Sequence, residues 1–186
     1  MKNRYEIRFA GSGGQGNILA AYVTAQAAAI YAEGLYVAQT QSYGAEARGG
    51  KSQAQVIISK DEIDYPKVIA PNLQIILTQQ ACEYVGDTLP GGRVLCDDYY
   101  VQTLPRIDSN LYYLPIVRTA REKLGREIVT NMVALGCVAR VFELDEVIDP
   151  AAVKKAILDT VPKGTEDLNS RAFEEGYKLF KESIHL

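Results

Sequence analysis

Two glycine-rich stretches hold the residues of this sequence that are best suited to binding a ligand or another protein. The first is Gly11-Ser12-Gly13-Gly14-Gln15-Gly16, and the second is Gln41-Ser42-Tyr43-Gly44-Ala45-Glu46-Ala47-Arg48-Gly49-Gly50. Glycine allows backbone conformations with positive φ and the close approach of another surface. Both stretches are therefore candidate contact sites, and the alternative for the second is a long structural connection.

The first stretch matches the pattern G-x-G-x-x-G between a predicted strand and a predicted helix. In that setting the helix N-terminus can bind a phosphate. A dinucleotide fold also needs an acidic residue at the end of the second strand, but residues 37–41 contain neither a carboxylate nor an arginine. The alternative is that these glycines only let the helix pack closely on the sheet.

In the second stretch, Arg48 offers a planar set of donors that fits a phosphate or a carboxylate. Arg48 and Glu46 could instead pair with each other at the surface, where an ion pair contributes little. Tyr43 could stack on a partner or cover the edge of the sheet. We expect the two glycine loops to lie close together if the strands before them are parallel neighbours.

The sequence shows no complete catalytic set. Cys82, Cys96 and Cys137 stand singly without C-x-x-C spacing, and His185 is the only histidine. This pattern predicts free thiols in a reducing compartment, with neither a metal site nor an iron–sulfur cluster on this chain. No nucleophile, base and orienting residue occur together, which predicts that the chain alone is not a complete enzyme.

Composition narrows the class of protein. A chain of 186 residues with 47% hydrophobic residues can form one globular domain, and its net charge of −3 argues against nucleic-acid binding. The N-terminus has no apolar signal region, and the longest apolar run, at 133–139, is too short to span a bilayer. We therefore predict a cytoplasmic protein that binds neither nucleic acid nor membranes.

Hydrophobic periodicity predicts the elements of the first half. Residues 4–10 alternate as a strand with one wetter face, and residues 15–33 form a helix with Leu19, Val23, Ala27 and Ile30 on one stripe. Strands follow at 35–40 and 52–59. Their connection is too short for the usual crossover helix, so the third strand is predicted to be antiparallel to the second.

The second half continues the alternation of strands and helices. Strands are predicted at 73–77, 93–96 and 111–114, and helices at 81–85, 116–124 and 127–142, the last with Ile128, Met132, Leu135 and Ala139 buried. Asp149 and Pro150 are typical of a helix start, and a last amphipathic helix follows Gly164. The prediction is an α/β fold: a single three-layer α/β/α domain over 1–186, with a mixed, mostly parallel sheet and a Rossmann-like start.

Several segments together resemble a known family. They are the two glycine stretches, Ile57-Ile58-Ser59, Ile63-Asp64-Tyr65-Pro66 and Asn131-Met132-Val133-Ala134-Leu135-Gly136. Over roughly residues 5–180 the sequence resembles the gamma subunit of 2-oxoacid:ferredoxin oxidoreductases, and most of all the 2-oxoglutarate (KorC-type) gamma subunit. Two loops together are far more specific than a single G-x-G-x-x-G.

The resemblance implies a subunit of a complex that converts a 2-oxoacid and coenzyme A to acyl-CoA and carbon dioxide while it reduces ferredoxin. It implies that partner alpha and beta subunits hold thiamine diphosphate and Mg²⁺, and that the beta subunit or a ferredoxin-like delta subunit holds the [4Fe-4S] clusters. It assigns to the two loops contacts with partner subunits, substrate or coenzyme A. These contact residues are Gly11, Ser12, Gly13, Gly14, Gln15, Gly16, Ser42, Tyr43, Gly44, Glu46, Arg48, Gly49 and Gly50.

Three alternatives remain open at this point. The first keeps the family and changes the substrate to pyruvate, a branched-chain oxoacid or indolepyruvate. The second is a free-standing nucleotide-binding protein with a Rossmann-like fold that uses the first glycine stretch. The third is an assembly module whose loops serve only as an interface.

Overall fold

A computed structural model describes residues 3–43 and 50–183 of the chain. The strands are β1 (Arg4–Ser12), β2 (Tyr36–Tyr43), β3 (Lys51–Ser59), β4 (Leu73–Ile76), β5 (Arg93–Asp97) and β6 (Asn110–Leu114). The α-helices are α1 (Asn17–Tyr31), α2 (Ile116–Arg118), α3 (Thr130–Leu144), α4 (Pro150–Thr160) and α5 (Glu166–Ser183). Two 3₁₀ segments, Gln79–Asp87 and Glu127–Val129, precede β5 and α3.

The strands form one six-stranded sheet in the order β2-β3-β1-β4-β5-β6. β3 is antiparallel to both of its neighbours, whereas β1, β4, β5 and β6 pair in parallel. The predicted mixed α/β sheet and the antiparallel third strand are confirmed. The hairpin-like return of β3 separates this sheet from that of a plain dinucleotide-binding fold.

The prediction that one face of β1 is more exposed to solvent than the other is wrong. Glu6 and Arg8 are only 6% and 4% exposed, because β1 lies in the middle of the sheet and both of its faces are covered. Each charge has partners: Glu6 Oε2 accepts hydrogen bonds from the Ile69 and Ala70 amides at 2.8 and 2.9 Å. Arg8 Nη1 donates to Asp87 Oδ2 at 2.7 Å. Buried charges persist in proteins when they are paired in this way.

The predicted apolar stripe of α1 is only half right. Val23 and Ala27 are buried, but Leu19 is 37% and Ile30 63% exposed. The buried face consists mainly of small residues, which let the helix lie close to β1, β2 and β3. The helix also begins after Gly16 and ends at Tyr31, so it is shorter than the predicted 15–33.

Helices α3 and α5 pack with their backbones in contact at two glycines. A Cβ added to Gly136 would lie 2.1 Å from Phe173 O, and one added to Gly176 would lie 1.9 Å from Val133 O. Met132, Leu135 and Ala139 are buried as predicted. Ile128 is not: it belongs to the 3₁₀ segment before α3 and is 81% exposed.

The starts of the later helices follow local sequence rules. Asp149 caps α4 as predicted, because its Oδ1 accepts a hydrogen bond from the Ala151 amide at 2.7 Å and Pro150 is the first helical residue. The helix predicted at 116–124 is instead the short α2 followed by a π-helical turn, Thr119–Lys123.

Candidate functional site

The first glycine stretch lies at the end of the sheet where the carboxyl termini of β1, β4 and β5 meet. Gly11 and Ser12 are the last residues of β1, whereas the turn proper consists of Gly13, Gly14 and Gln15 before α1. Gly13 and Gly14 are exposed. Parallel strands place their carboxyl ends at one edge, which is where open α/β sheets bind ligands. We call this region the carboxyl-edge surface.

The turn is closed by hydrogen bonds within the protein. The Ser12 amide donates to Gln15 Oε1 at 2.9 Å, and the Gln15 amide donates to Ser12 O at 3.3 Å. The Gly13 amide donates to Gly50 O at 2.9 Å, and Gln15 Nε2 donates to Leu77 O at 3.2 Å. A phosphate-binding loop needs amides that point at the ligand, and three amides of this turn already have partners.

Gly16 is the residue that caps the N-terminus of α1, and its backbone lies in the left-handed region with φ of 75°. Its Cα faces the amide of Asn131, so that an added Cβ would lie 2.5 Å from Asn131 Nδ2. Asn131 is 4% exposed and stands near the start of α3. The structure shows a buried polar side chain that seats the glycine turn on α3.

The two glycine stretches meet, although the reason differs from the predicted one. β1 and β2 are not neighbours, because β3 runs between them. The chain that returns into β3 begins at buried Gly50, whose carbonyl accepts the bond from Gly13. Ser42 and Tyr43 end β2, and the Ser42 side chain is exposed. The other predicted contact residues of this loop, Gly44, Glu46, Arg48 and Gly49, lie outside the described residues.

Two buried polar atoms beside the turn were not identified from the sequence. Asn17 is 2% exposed, and neither its Oδ1 nor Thr78 Oγ1 has a hydrogen-bond partner in the described part of the chain. Asn17 follows the last glycine of the turn, and Thr78 comes shortly after β4 ends. A polar residue directly after a glycine turn was the signal available in the sequence.

Asp97 is the last residue of β5, at the same end of the sheet, and it is fully buried. Its Oδ1 accepts hydrogen bonds from the Tyr99 and Tyr100 amides at 3.1 and 3.0 Å, and its Oδ2 accepts one from the Val117 amide at 2.8 Å. Burial raises the pKa of Asp97, while these three bonds oppose the shift. Asp97 therefore joins the end of β5 to α2 and is a structural group.

Exposed aromatic and aliphatic side chains lie near this end of the sheet. Tyr99 and Tyr100 are 49% and 36% exposed, and the Arg121 guanidinium lies 5.3 Å from the centre of the Tyr99 ring. Tyr100 donates a hydrogen bond to Glu127 at 3.2 Å, next to exposed Ile128. Large aromatic side chains with a polar end are typical of protein interfaces.

A cavity of about 330 Å³ lies at the opposite end of the sheet, where the strands begin. Arg93 Nη1 contacts both oxygens of Asp145, at 2.6 and 2.7 Å, and the Tyr5 hydroxyl donates to Asp145 Oδ2 at 2.7 Å. The charges that line this cavity are thus already paired. We interpret this cluster as the connection between the start of the sheet and the C-terminus of α3.

The cysteines have the environment of structural residues. Cys82, Cys96 and Cys137 are free and buried, and burial raises the pKa of each thiol, that of Cys137 to about 12. Because the thiolate is the reactive form, we expect a disulfide reagent at pH 8 to modify the native chain very slowly. All three thiols should react at once in denaturant. One rapidly modified thiol in the native chain would contradict this.

In residues 3–43 and 50–183, no three His, Cys, Asp or Glu side chains are grouped so that they could hold a metal ion. Within the same residues, no helix has both the length and the apolar character needed to cross a membrane.

The sequence matches the family described as pyruvate ferredoxin/flavodoxin oxidoreductase over residues 6–179. The chain is 46% identical to the 2-oxoglutarate synthase subunit KorC of Methanocaldococcus jannaschii, over 98% of this chain and 97% of the relative. It is 44% identical to the KorC subunit of Methanothermobacter marburgensis, over 96% of this chain and 98% of the relative.

Solved structures have the same fold. A keto/oxoacid ferredoxin oxidoreductase gamma subunit from Geobacter sulfurreducens superposes with a TM-score of 0.86 at 41% identity, over 97% of this chain and 98% of that one. A 2-oxoglutarate:ferredoxin oxidoreductase from Magnetococcus marinus gives a TM-score of 0.82 at 26% identity, over 98% of this chain but 32% of that longer chain. The chain belongs to the pyruvate ferredoxin/flavodoxin oxidoreductase family, in which it is a gamma-type subunit of a 2-oxoacid:ferredoxin oxidoreductase.

Proposed function

We propose that this chain is the gamma subunit of a complex that converts 2-oxoglutarate, coenzyme A and oxidised ferredoxin to succinyl-CoA, carbon dioxide and reduced ferredoxin. The choice of oxoacid rests on a difference in sequence identity between two groups of relatives. KorC subunits of 2-oxoglutarate synthase from two organisms are 46% and 44% identical to the chain. The common gamma subunits of pyruvate/ketoisovalerate oxidoreductases from two Pyrococcus species are 31% and 30% identical.

In such a complex, thiamine diphosphate with Mg²⁺ would take up the negative charge left by decarboxylation, and [4Fe-4S] clusters would accept single electrons. We assign the thiamine diphosphate to the alpha and beta subunits and the clusters to the beta or a ferredoxin-like delta subunit. The internal bonding of the glycine turn supports that assignment. The amides of Ser12, Gly13 and Gln15 already have acceptors within the chain, which reduces the number of donors that the turn can offer to a diphosphate.

The part assigned to this chain is to shape the surface on which partner subunits sit. Gly13 and Gly14 expose backbone that another protein can approach closely, and Tyr99 and Ile128 expose apolar area beside them. Arg48, from the loop that ends at Gly50, supplies a cation that can bind a carboxylate or phosphate of the substrate or of coenzyme A. The complex is proposed to work in the cytoplasm, where free thiols stay reduced.

Isolation of the chain from a native extract tests the subunit assignment. We expect it to co-purify with alpha and beta subunits, together with thiamine-dependent 2-oxoglutarate oxidation that reduces ferredoxin or a viologen dye. The chain alone should show no turnover. A chain that elutes without a thiamine-dependent partner would refute the proposal, and a complex that prefers pyruvate or indolepyruvate would change only the substrate.

Substituting Arg48→Ala tests whether the second loop does more than join subunits. We expect turnover of the assembled complex to fall at least about tenfold, which corresponds to about 1.4 kcal/mol of lost transition-state stabilisation. Assembly, measured by gel filtration, should be unchanged. Arg106→Ala is the matched control, because Arg106 is exposed in another loop. Equal turnover in both variants would leave the loop with a purely structural role.

Calorimetry separates this function from that of a free-standing nucleotide-binding protein. The purified chain should give no measurable heat with NADH, NADPH, FAD or ATP, because three amides of its glycine turn are used internally and residues 37–41 offer no carboxylate for a ribose. Tight binding of any of these by the isolated chain would favour the nucleotide-binding alternative.

A further inference from the structure

The outer edge of β2 is open and regular. Of the described residues, only those of β3 pair with β2, one for one from Tyr36 opposite Ser59 to Tyr43 opposite Ser52. The pairing has no bulge over its eight residues. The described side chains of β2, residues 36–42, are all half-buried or exposed. One row of backbone donors and acceptors therefore faces outward along the strand.

β2 lacks the features that usually protect such an edge. Natural edge strands carry a lysine, a proline, an inward charge or a bulge, or they are very short. The sequence of β2, Tyr-Val-Ala-Gln-Thr-Gln-Ser-Tyr, contains neither a charged residue nor a proline. The strand at the other edge of the sheet, β6, is shorter, with five residues. An open, uncharged strand of eight residues is suited to adding another strand.

We propose that the occupant of this edge is a second copy of the chain, whose β2 pairs antiparallel with the first and extends the sheet through both copies. The absence of charge argues for a copy and not for a different protein. In a two-fold pairing, a residue near the axis faces its own equivalent, so any charge there would be opposed by the same charge. A different partner could oppose a charge with its opposite. The helix that packs on β2, α1, is likewise free of charge over its fifteen residues.

The symmetry limits the possible registers, and the pairing of similar side chains selects one of them. A two-fold axis perpendicular to a continuous sheet leaves each face of the sheet on the same side in both copies. Because side chains alternate between the two faces along a strand, even-numbered residues must oppose even-numbered residues and odd-numbered ones must oppose odd-numbered ones. With the axis at Thr40, Thr40 opposes itself, Gln39 opposes Gln41 and Ala38 opposes Ser42, which pairs residues of similar polarity and size. Threonine pairs are among the favourable cross-strand contacts. The proposal goes beyond the assigned activity, because it concerns how copies of the chain meet.

Sedimentation equilibrium of the full chain tests the proposal. The native chain should form a reversible dimer of twice its 20.5 kDa mass. Thr40→Lys and Thr40→Glu should each weaken the dimer at least about tenfold, because like charges then face each other at the axis. An equal mixture of the two variants should recover the dimer. A monomeric native chain, undiminished dimers of Thr40→Lys, or a mixture that stays monomeric would each overturn the proposal.

Two further measurements locate the contact. Tyr113→Lys places the same charge on β6, where Tyr113 is 45% exposed, and should leave the dimer intact. Loss of the dimer only in that variant would move the contact to the other edge and overturn the proposal. In the assembled complex, Thr40→Cys should oxidise to a disulfide-linked pair, because opposed Cα atoms lie about 4.5–5.5 Å apart, within disulfide reach. Neither readout depends on turnover, so failure here is distinct from failure of the proposed activity.

Discussion

Gly176→Ala is expected to lower the free energy of unfolding by about 3 kcal/mol or to prevent folding altogether. The added methyl group would lie 1.9 Å from Val133 O and 2.7 Å from Val133 C, which are backbone atoms of α3. Overpacking a core usually costs about 1–3 kcal/mol, and more where backbone must move. Alanine is the better helix former by about 1 kcal/mol, which offsets only part of this cost. Urea unfolding of the purified chain measures the difference.

Gly86→Ala is the matched control for that substitution. Gly86 also lies in a helical segment, the 3₁₀ helix Gln79–Asp87, but nothing stands within 4 Å of an added Cβ. We expect its free energy of unfolding to stay within about 1 kcal/mol of the native value. If Gly176→Ala proves too unstable to purify, the fraction of soluble chain can be compared for the two variants. Equal stability of both would mean that α3 and α5 are not in backbone contact.

Gly16→Ala is expected to combine a loss of stability with a loss of activity in the complex. An L-residue at φ of 75° costs about 1–2 kcal/mol, and the new methyl would also lie 2.5 Å from Asn131 Nδ2. The turn must then shift away from α3, which displaces the exposed backbone of Gly13 and Gly14. We expect turnover of the assembled complex to fall by about tenfold or more, since misplaced contacts of this kind have effects of that size.

Two variants separate the contact from the backbone strain. Gly34→Ala meets the same unfavourable region, with φ of 70°, but nothing lies within 4 Å of its Cβ and it is outside both glycine stretches, so it should retain more turnover than Gly16→Ala. Combining Gly16→Ala with Asn131→Ala removes the atoms at 2.5 and 2.7 Å and should recover part of the loss. If Gly34→Ala and Gly16→Ala are equally impaired and the double variant recovers nothing, Asn131 does not seat the turn.

Local rules of sequence predicted the features that depend on a few neighbouring residues. The seven residues between β2 and β3 are too few for a crossover helix, and β3 is indeed antiparallel. Asp149 followed by Pro150 predicted the start of α4, which the structure confirms. The family was predicted from motifs alone and is confirmed by matches over most of the chain. The assignment of contact residues in the two loops stays a prediction.

The predictions that failed concern burial, which depends on distant segments. The charges of β1 were placed on a wetter face because alternation cannot reveal that distant segments, residues 69–70 and the 3₁₀ helix Gln79–Asp87, will cover that face of a central strand. Leu19 and Ile30 were placed in the core, yet the helix buries its small residues and leaves these two exposed. Ile128 has the right spacing for α3, but the helix starts two residues later.

The sequence by itself determined the elements, their order and the presence of a glycine turn between the first strand and helix, because hydrophobic period, caps and glycine act over short distances. Tertiary structure decided which segments meet. It brought Gly13 to Gly50, at the start of β3, and placed Asn131 against Gly16. Such contacts join residues more than thirty positions apart, and they form only when the whole sheet sets the distances between its edges.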